Sequence, residues 1–301
     1  FYTGPRIGGL LNATLGNAAE LIITLVAINA GLLDLVKASI TGSIVGNLLL
    51  VMGLSMVVGG IKNGTQIFDR RHASNNAILL ILAILALVIP SFFSGSIGDE
   101  HSIGVEALSL GVAVVMMVLY ILGIVFSLKA TRSPISHETT VEPHHKPAMS
   151  VQQSILLLAA ATLGVVLLSE MLVGEVEHVT QNLGLSEFFL GIILIPIIGN
   201  VAEHLVAVQV AHRNQMELSV EIAVSSSLQI ALFVAPLLVF LSLAMGNPLT
   251  LIFNPFELIA LGAGVIISAF VSLDGESNWL EGAALIAIYL MLGLSFFLLP
   301  A

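Results

Sequence analysis

The sequence predicts an all-α polytopic membrane protein that is built as an inverted repeat, and three observations support this fold class. Hydrophobic residues make up 57% of the 301 residues, only 9% are charged, and the mean hydropathy is +1.06. Apolar runs of roughly 20 residues, enough to cross about 30 Å of hydrocarbon, recur along the chain. One short polar motif occurs twice inside these runs. A soluble domain does not need this much apolar surface.

Nine apolar runs are predicted to cross the membrane as helices. A segment in lipid must satisfy its own backbone hydrogen bonds, and the sequence has no alternating barrel pattern. The runs lie near residues 8–31, 35–60, 74–93, 103–129, 152–180, 186–212, 217–245, 251–273 and 279–300. The chain contains no cysteine, which excludes disulfides.

The basic residues predict the orientation. If the nine helices alternate in direction, only Lys37 flanks the membrane on one side. The other basic residues all flank the opposite side: Arg6, Lys62, Arg70, Arg71, Lys129, Arg132, Lys146 and Arg213. By the positive-inside tendency that second side is cytoplasmic. The first visible residues are then cytoplasmic and the C-terminus faces out.

The repeated motif is the first candidate for a working site. It reads GNAAE at residues 16–20 and GNVAE at residues 199–203, an offset of 183 residues. A carboxylate inside a spanning helix costs about 2.5–3.5 kcal/mol on insertion scales. The same costly placement twice is best explained by use, so Glu20 and Glu203 are the predicted binding residues, with Asn17 and Asn200 beside them.

The repeat extends beyond the motif and predicts the division of the chain. The same offset aligns the first four helices with the last four. An odd number of helix steps separates the two motif copies, so the halves are inverted, as in secondary transporters that bind substrate at the midplane. We predict a first half-repeat at 1–129, a cytoplasmic linker containing His and Glu at 130–150, and a second half-repeat at 151–301. The helix at 152–180 has no partner in the first half, so its equivalent is expected upstream of Phe1.

Polar residues on the helix after each motif are the predicted supporting wall of the site. In the first half Ser39, Ser43 and Asn47 recur every four residues. In the second half the equivalent patch comprises Ser225, Ser226 and Gln229. These side chains are either interhelical hydrogen-bond partners or direct or water-mediated ligands, and the nearby carboxylates favour the ligand role.

Three further polar positions have two interpretations each. His204 adjoins Glu203 and is either a proton-linked neighbour or a packed polar residue. Asp34 and Glu217 begin helices on opposite faces, where they form vestibules that attract cations or simply favour the positive end of the helix. In the second motif helix, Pro196 three residues before Gly199 is expected to open the helix and to free carbonyl oxygens.

With these residues the chain resembles the calcium/proton antiporters of the calcium/cation exchanger superfamily. The resemblance rests on the motif GNxxE followed by Leu or His in two inverted halves, on GSIVGN at residues 42–47 and on SSLQIA at residues 226–231. The segment SNWLEG at residues 277–282 is also similar, and the resemblance extends from Gly4 to the C-terminus.

The resemblance implies an inverted-repeat transporter of eleven helices, nine of which are visible in this chain. It implies that Glu20 and Glu203 bind Ca²⁺ and exchange it for protons, that Ca²⁺ is a transported substrate, that no cofactor is used, and that the chain forms homo-oligomers. Vacuolar eukaryotic members carry a strongly acidic segment between the halves, whereas the linker at 136–145 has only two acids. This departure favours a prokaryotic plasma membrane.

Residue chemistry suits such an exchange. Calcium takes six to eight oxygen ligands at about 2.3–2.6 Å, which carboxylates, amides, hydroxyls and water can supply. When calcium leaves, two buried like charges are costly, so protons are expected to replace it. The expected partners are therefore Ca²⁺, protons and the lipid bilayer, with no nucleic acid.

Three alternatives have weaker support. A sodium/calcium exchanger would carry Ser-x-Pro-Glu versions of the motif, whereas alanine and valine precede these glutamates. An intramembrane metalloenzyme would need a second histidine four residues from the first, and His204 has none at that spacing. The sequence therefore predicts no enzyme. A channel has no need of paired carboxylates that occlude its pore.

Overall fold

The computed structural model describes residues 15–100, 102–129 and 150–299, and this part of the chain is almost entirely helical. In the first half, helices α1 to α5 and strand β1 occupy Ala18–Asn29 (α1), Leu33–Val45 (α2), Met52–Asn63 (α3), Gln66–Ile67 (β1), Arg70–Ile97 (α4) and Ile103–Lys129 (α5). A π-helical segment, Gly46–Val51, joins α2 to α3 without interruption.

The second half repeats this plan with more breaks. Its elements are Val151–Gly174 (α6), Val176–Leu183 (α7), Glu187–Phe189 (α8), Ile195–Gly199 (α9), Val201–His212 (α10), Met216–Gln229 (α11), Ala235–Ala244 (α12), Pro255–Ser272 (α13), Glu276–Ser277 (β2) and Trp279–Phe297 (α14). Further π-helical segments join α8 to α9 at Leu190–Leu194 and α11 to α12 at Ile230–Val234.

Most of the predicted spans appear as helices. Within the described residues, seven helices are long and apolar enough to cross a membrane, and eight if the bent pair Glu187–Gly199 and Val201–His212 counts as one span. Of the predicted first span at 8–31, the described part forms only the shorter apolar helix Ala18–Asn29. The predicted totals of nine and eleven spans are therefore not confirmed. Predictions on residues 1–14 and on the linker residues 130–149 lie outside the described residues.

Two long spans, one from each half, form the centre of the molecule. For Leu33–Asn63 and Met216–Ala244, 72% and 67% of the most apolar window is buried inside the protein, against 6% for Val151–Leu183. The two central spans carry their π-helical segments at nearly the same repeat position, since Gly46–Val51 shifted by 183 residues becomes 229–234. A π-helical turn inserts an extra residue and often marks a functional site.

A short strand pair joins the two halves at one end of the bundle. β1 and β2 pair antiparallel, with Gln66 opposite Ser277 and Ile67 opposite Glu276. The side-chain amide of Gln66 is buried and donates to the carbonyl oxygen of Ala211 and to Oδ1 of Asn214, both at 3.0 Å. Asn214 has a φ of 62°, in the left-handed region that asparagine tolerates at a helix end. This end of the bundle is thus tied together across the repeat.

Helices α3 and α14 approach each other through a pair of glycines. A Cβ added at Gly282 would lie 2.5 Å from the carbonyl oxygen of Gly53 and 2.7 Å from Cβ of Met56. In a membrane, small residues of this kind let helices pack at close range. The contact leaves no room for even a methyl group.

Gly282→Ala is expected to destabilise the protein by about 1–3 kcal/mol, because the added methyl overpacks a close helix contact. The matched control is Gly262→Ala in α13, where an added Cβ meets no atom within 4 Å. Thermal unfolding in detergent, followed by size-exclusion chromatography of heated samples, measures the difference. Equal melting temperatures for the two variants would contradict the packing argument.

Candidate functional site

Both motif helices break at the motif asparagine. In the first half Leu15 and Gly16 are helical, Asn17 adopts a turn conformation with φ −89° and ψ 17°, and α1 starts at Ala18. In the second half Asn200 adopts φ −99° and ψ 7°, and the helices on either side of it are bent by 60°. The break expected from Pro196 is therefore present. The first copy breaks at the same motif position although Ala13 stands where the second has Pro196, so the proline is not required for a break there.

The carbonyl oxygen of Pro196 itself is paired. Pro196 O accepts a hydrogen bond from the backbone N–H of Asn200 at 3.0 Å and another from its side-chain amide at 3.1 Å. This oxygen is therefore occupied by the motif asparagine, which folds its amide back onto the preceding turn. The break is held by a side chain that also reaches the opposite half.

The motif asparagines bind the polar wall of the other half. The Asn17 side-chain amide donates to Oε1 of Gln229 at 2.7 Å, and Ser226 Oγ donates to Oδ1 of Asn17 at 3.1 Å. In the other direction, the Asn200 amide donates to Oγ of Ser43 at 3.3 Å. All five of these side chains are at most 5% exposed. The pairing follows the repeat, because Asn17 corresponds to Asn200 and Ser226 to Ser43.

Asn47 completes the network between the central spans. Its buried amide donates to Oγ of Ser226 at 3.0 Å, so that this one hydroxyl accepts from Asn47 and donates to Asn17. The predicted wall residues Ser43, Asn47, Ser226 and Gln229 thus all reach the same cluster. Their hydrogen bonds match the interhelical interpretation, and Ser226 also lies beside the carboxylate of Glu203.

The two glutamates also cross between the halves. A Cβ added at Gly16 would collide with Oε1 of Glu203, and one added at Gly199 would lie 3.7 Å from Cγ and 3.8 Å from Cδ of Glu20. Each carboxylate side chain therefore lies against the motif glycine of the other half, and at Gly16 only a residue without a side chain leaves it space. The carboxylates of Glu20 and Glu203 are close enough to interact electrostatically.

The carboxylate oxygens are available to a cation. Glu20 is 3% exposed, and both of its carboxylate oxygens are buried without a hydrogen-bond partner among the described residues, as is Oε2 of Glu203. Buried polar atoms are normally paired, so orphaned oxygens at one place indicate a ligand. Three or more His, Cys, Asp or Glu side chains do not come together as a metal cluster anywhere in the described ranges. The donors here are two carboxylates with amides and hydroxyls, which suit a hard cation.

The remaining predicted residues lie at the edge of this cluster or away from it. His204 is partly buried, and its Nε2 atom has no hydrogen-bond partner in the described part of the chain. Ser225 is buried, and its Oγ atom likewise has no partner there. Asp34 and Glu217 are exposed and stand in the first turns of α2 and α11. The structure therefore does not bring the two vestibule carboxylates to the central site.

Two buried charged residues, Glu257 and Lys37, and their partners were not predicted from the sequence. Glu257 is 2% exposed, closes a capping box with Asn254, and accepts a hydrogen bond from Thr41 at 3.5 Å. The pattern Asn-Pro-x-Glu at residues 254–257 is a capping signal that could have located it. Lys37 is buried and forms an ion pair with Glu100, a contact across 63 residues that no local pattern predicts.

Central spans from inverted halves with polar groups between them are typical of secondary transporters that bind substrate near the midplane. The family of the sodium/calcium exchanger protein matches residues 2–129 and 153–298, and the chain belongs to this family.

Relatives that are named as Ca(2+)/H(+) antiporters match over nearly the whole chain. A Ca(2+)/H(+) antiporter of Aphanothece halophytica is 44% identical, over 99% of this chain and 83% of its own length. The Ca(2+)/H(+) antiporter ChaA of Bacillus subtilis is 45% identical, over 98% and 84%. The structure of native YfkE superposes with a TM-score of 0.85 at 43% identity, covering 98% of this chain and 84% of YfkE. An H+/Ca2+ exchanger, CAX, shares the fold with a TM-score of 0.65 at 17% identity, covering 98% and 86%.

Ser226→Ala is expected to destabilise the site more than Ser43→Ala. The first change removes the acceptor of Asn47 and a donor to Asn17, whereas Asn200 keeps its bond to Pro196 when Ser43 is lost. A buried polar group left without its partner costs about 1–3 kcal/mol. Melting temperatures of the two variants in detergent measure the order, and a larger loss for Ser43→Ala would contradict this network.

Proposed function

We propose that this protein exchanges Ca²⁺ for H⁺ across a membrane, with both ions binding to Glu20 and Glu203. The observation that carries the proposal is the crossed packing of the two carboxylates against Gly16 and Gly199. Three of their four oxygens are buried with no hydrogen-bond partner among the described residues. The relatives named Ca(2+)/H(+) antiporters support the choice of ions. Asn17, Asn200 and the wall residues then position the carboxylates and add neutral oxygen ligands.

Competition for one site couples the two ions. A bound Ca²⁺ neutralises two carboxylates, and two protons do the same when it leaves. The empty, doubly charged site is costly away from water, so it crosses between its two access states rarely. Exchange is then obligatory without a separate coupling device.

Alternating access needs a part of the structure that moves. The span Val151–Leu183 packs against α1 but is the least buried of the candidate spans, with 6% of its window inside the protein. We propose that it slides against the central spans, which carry the hydrogen-bonded wall. The half-repeats 1–129 and 151–301 are the proposed structural units, and the bacterial relatives support a prokaryotic plasma membrane.

Removing either charge is expected to abolish exchange. Glu20→Gln and Glu203→Gln keep the shape of the side chain but remove the negative charge that both ions share. The matched control is Glu177→Gln, an exposed glutamate in α7. Calcium uptake into proteoliposomes driven by an imposed pH gradient measures the effect. Near-normal uptake in either motif variant would refute the assignment.

The same vesicles separate the proposal from sodium/calcium exchange. An imposed pH gradient should drive calcium uptake in the absence of sodium, and an imposed sodium gradient at constant pH should not. Sodium-driven uptake without proton coupling would overturn the proposal in favour of a sodium/calcium exchanger.

Calcium binding is expected to release protons and to weaken as the pH falls, because protons and Ca²⁺ compete for the same carboxylates. The number released approaches two if Glu20 and Glu203 alone titrate, and exceeds two if His204 takes part. Calorimetry in buffers of different ionisation enthalpy measures it. Binding that stays constant over roughly pH 5–8 would leave the glutamates as static ligands.

A further inference from the structure

A buried lysine, Lys37, lies near the end of the central spans where α2 begins. We call this end, and the equivalent end where α11 begins, the two mouths. Lys37 Nζ lies 2.8 Å from Oδ1 of Asp34 and 2.8 Å from Oε1 of Glu100, and its side chain is 8% exposed. Thr250 donates a further hydrogen bond to the same Glu100 oxygen at 3.1 Å. We call Asp34, Lys37 and Glu100 the Lys37 cluster. It joins the start of α2 to two loops that are distant in sequence.

The Lys37 cluster lines a cavity. A space of about 270 Å³ is bounded by these three residues, by Glu187 and by the loop that contains Thr250. Lys37 lies six residues before Ser43 on the same helix, about 9 Å along it at a rise of 1.5 Å per residue. An ion moving between this mouth and the central site would pass close to the lysine.

The lysine breaks the symmetry of the repeat. With the offset of 183 residues, Asp34 corresponds to Glu217, but Lys37 corresponds to Val220. The helix that begins with Glu217 therefore has the acid without a lysine three residues later. Lys37 is also the one basic residue that the alternating topology places away from the cytoplasmic side. An ionisable residue buried in a spanning segment is costly, and such residues usually have a function.

We propose that Lys37 is a specificity-determining residue that weakens Ca²⁺ binding from its own face of the membrane. Its ammonium group forms ion pairs with the carboxylates of Asp34 and Glu100, in the place that a free cation would otherwise take. A divalent cation that enters the cavity then meets three carboxylates whose negative charge is offset in part by a fixed positive charge, which repels it. At the equivalent position of the other half Val220 carries no charge, so the two faces differ in apparent calcium affinity. This inference rests on the proposed exchange function.

Two variants separate an electrostatic role from a structural one. Lys37→Met and Glu100→Gln break the same ion pair, so a purely structural role predicts the same effect for both. An electrostatic role predicts opposite effects, because one change removes a positive charge and the other removes a negative charge. Lys37→Arg keeps the charge and is the matched control. Adding Asp34→Asn to Lys37→Met restores the charge balance of the Lys37 cluster.

The experiment measures half-saturating Ca²⁺ on each face in proteoliposomes. The chain has no cysteine, so Thr65→Cys at an exposed position near the opposite end of α3 lets an impermeant thiol reagent report the orientation of the molecules. Lys37→Met should lower the half-saturating Ca²⁺ on the Lys37 face by roughly three- to tenfold, Glu100→Gln should raise it, and the opposite face should not change.

The outcomes distinguish the two proposals. If the parent protein takes up no calcium under a pH gradient, the proposed function fails before Lys37 is tested. If the parent exchanges normally, three results overturn the role of Lys37. These are equal shifts on both faces, shifts of the same sign for Lys37→Met and Glu100→Gln, and loss of thermal stability with no change in half-saturating Ca²⁺.

Discussion

Two carboxylates, one from each half and each packed against the motif glycine of the other half, constrain the rest of this structure. Each motif glutamate lies against the glycine of the other motif, so neither half contains a complete site. Two buried like charges are unstable unless a cation or protons neutralise them. The fold must therefore bring the halves together closely enough to form the site, and it must also give ions a route to it.

Small residues and broken helices meet the first requirement. Gly16 leaves space that a methyl group would take from Glu203, and Gly199 lies in contact with Glu20. The helices turn at Asn17 and Asn200, just before the acids. The asparagine amides then bond to hydroxyl and amide groups on the opposite central span. In a low-dielectric interior, such a satisfied network fixes side-chain positions firmly. Neutral polar groups thus hold the two motif helices on which the carboxylates stand.

The sequence predicted what depends on composition and local spacing. Hydropathy located most of the spans, and the duplicated motif made Glu20 and Glu203 the candidate site residues, because a repeated carboxylate in apolar sequence is costly. It also placed Ser43 and Ser226 at equivalent positions. It did not show that Asn17 pairs with Ser226 and Asn200 with Ser43, since contacts across the repeat depend on how the inverted halves interlock. The π-helical segments were missed as well, because one extra residue in a turn leaves no trace in an apolar run.

The inverted repeat makes the site nearly symmetric, but transport across a membrane separates two different solutions. A symmetric site alone would treat the two faces alike, so any difference between them must come from residues that the repeat does not share. Lys37 and its partner Glu100 are such residues, since Val220 stands at the equivalent position of the other half. A fixed charge about 9 Å along the helix from Ser43 is too distant to serve as a ligand and close enough to change the potential that an ion meets. The motif residues recur in both halves, whereas Lys37 and Glu100 do not. A substitution at Lys37 can therefore change the behaviour of one face without changing the central site.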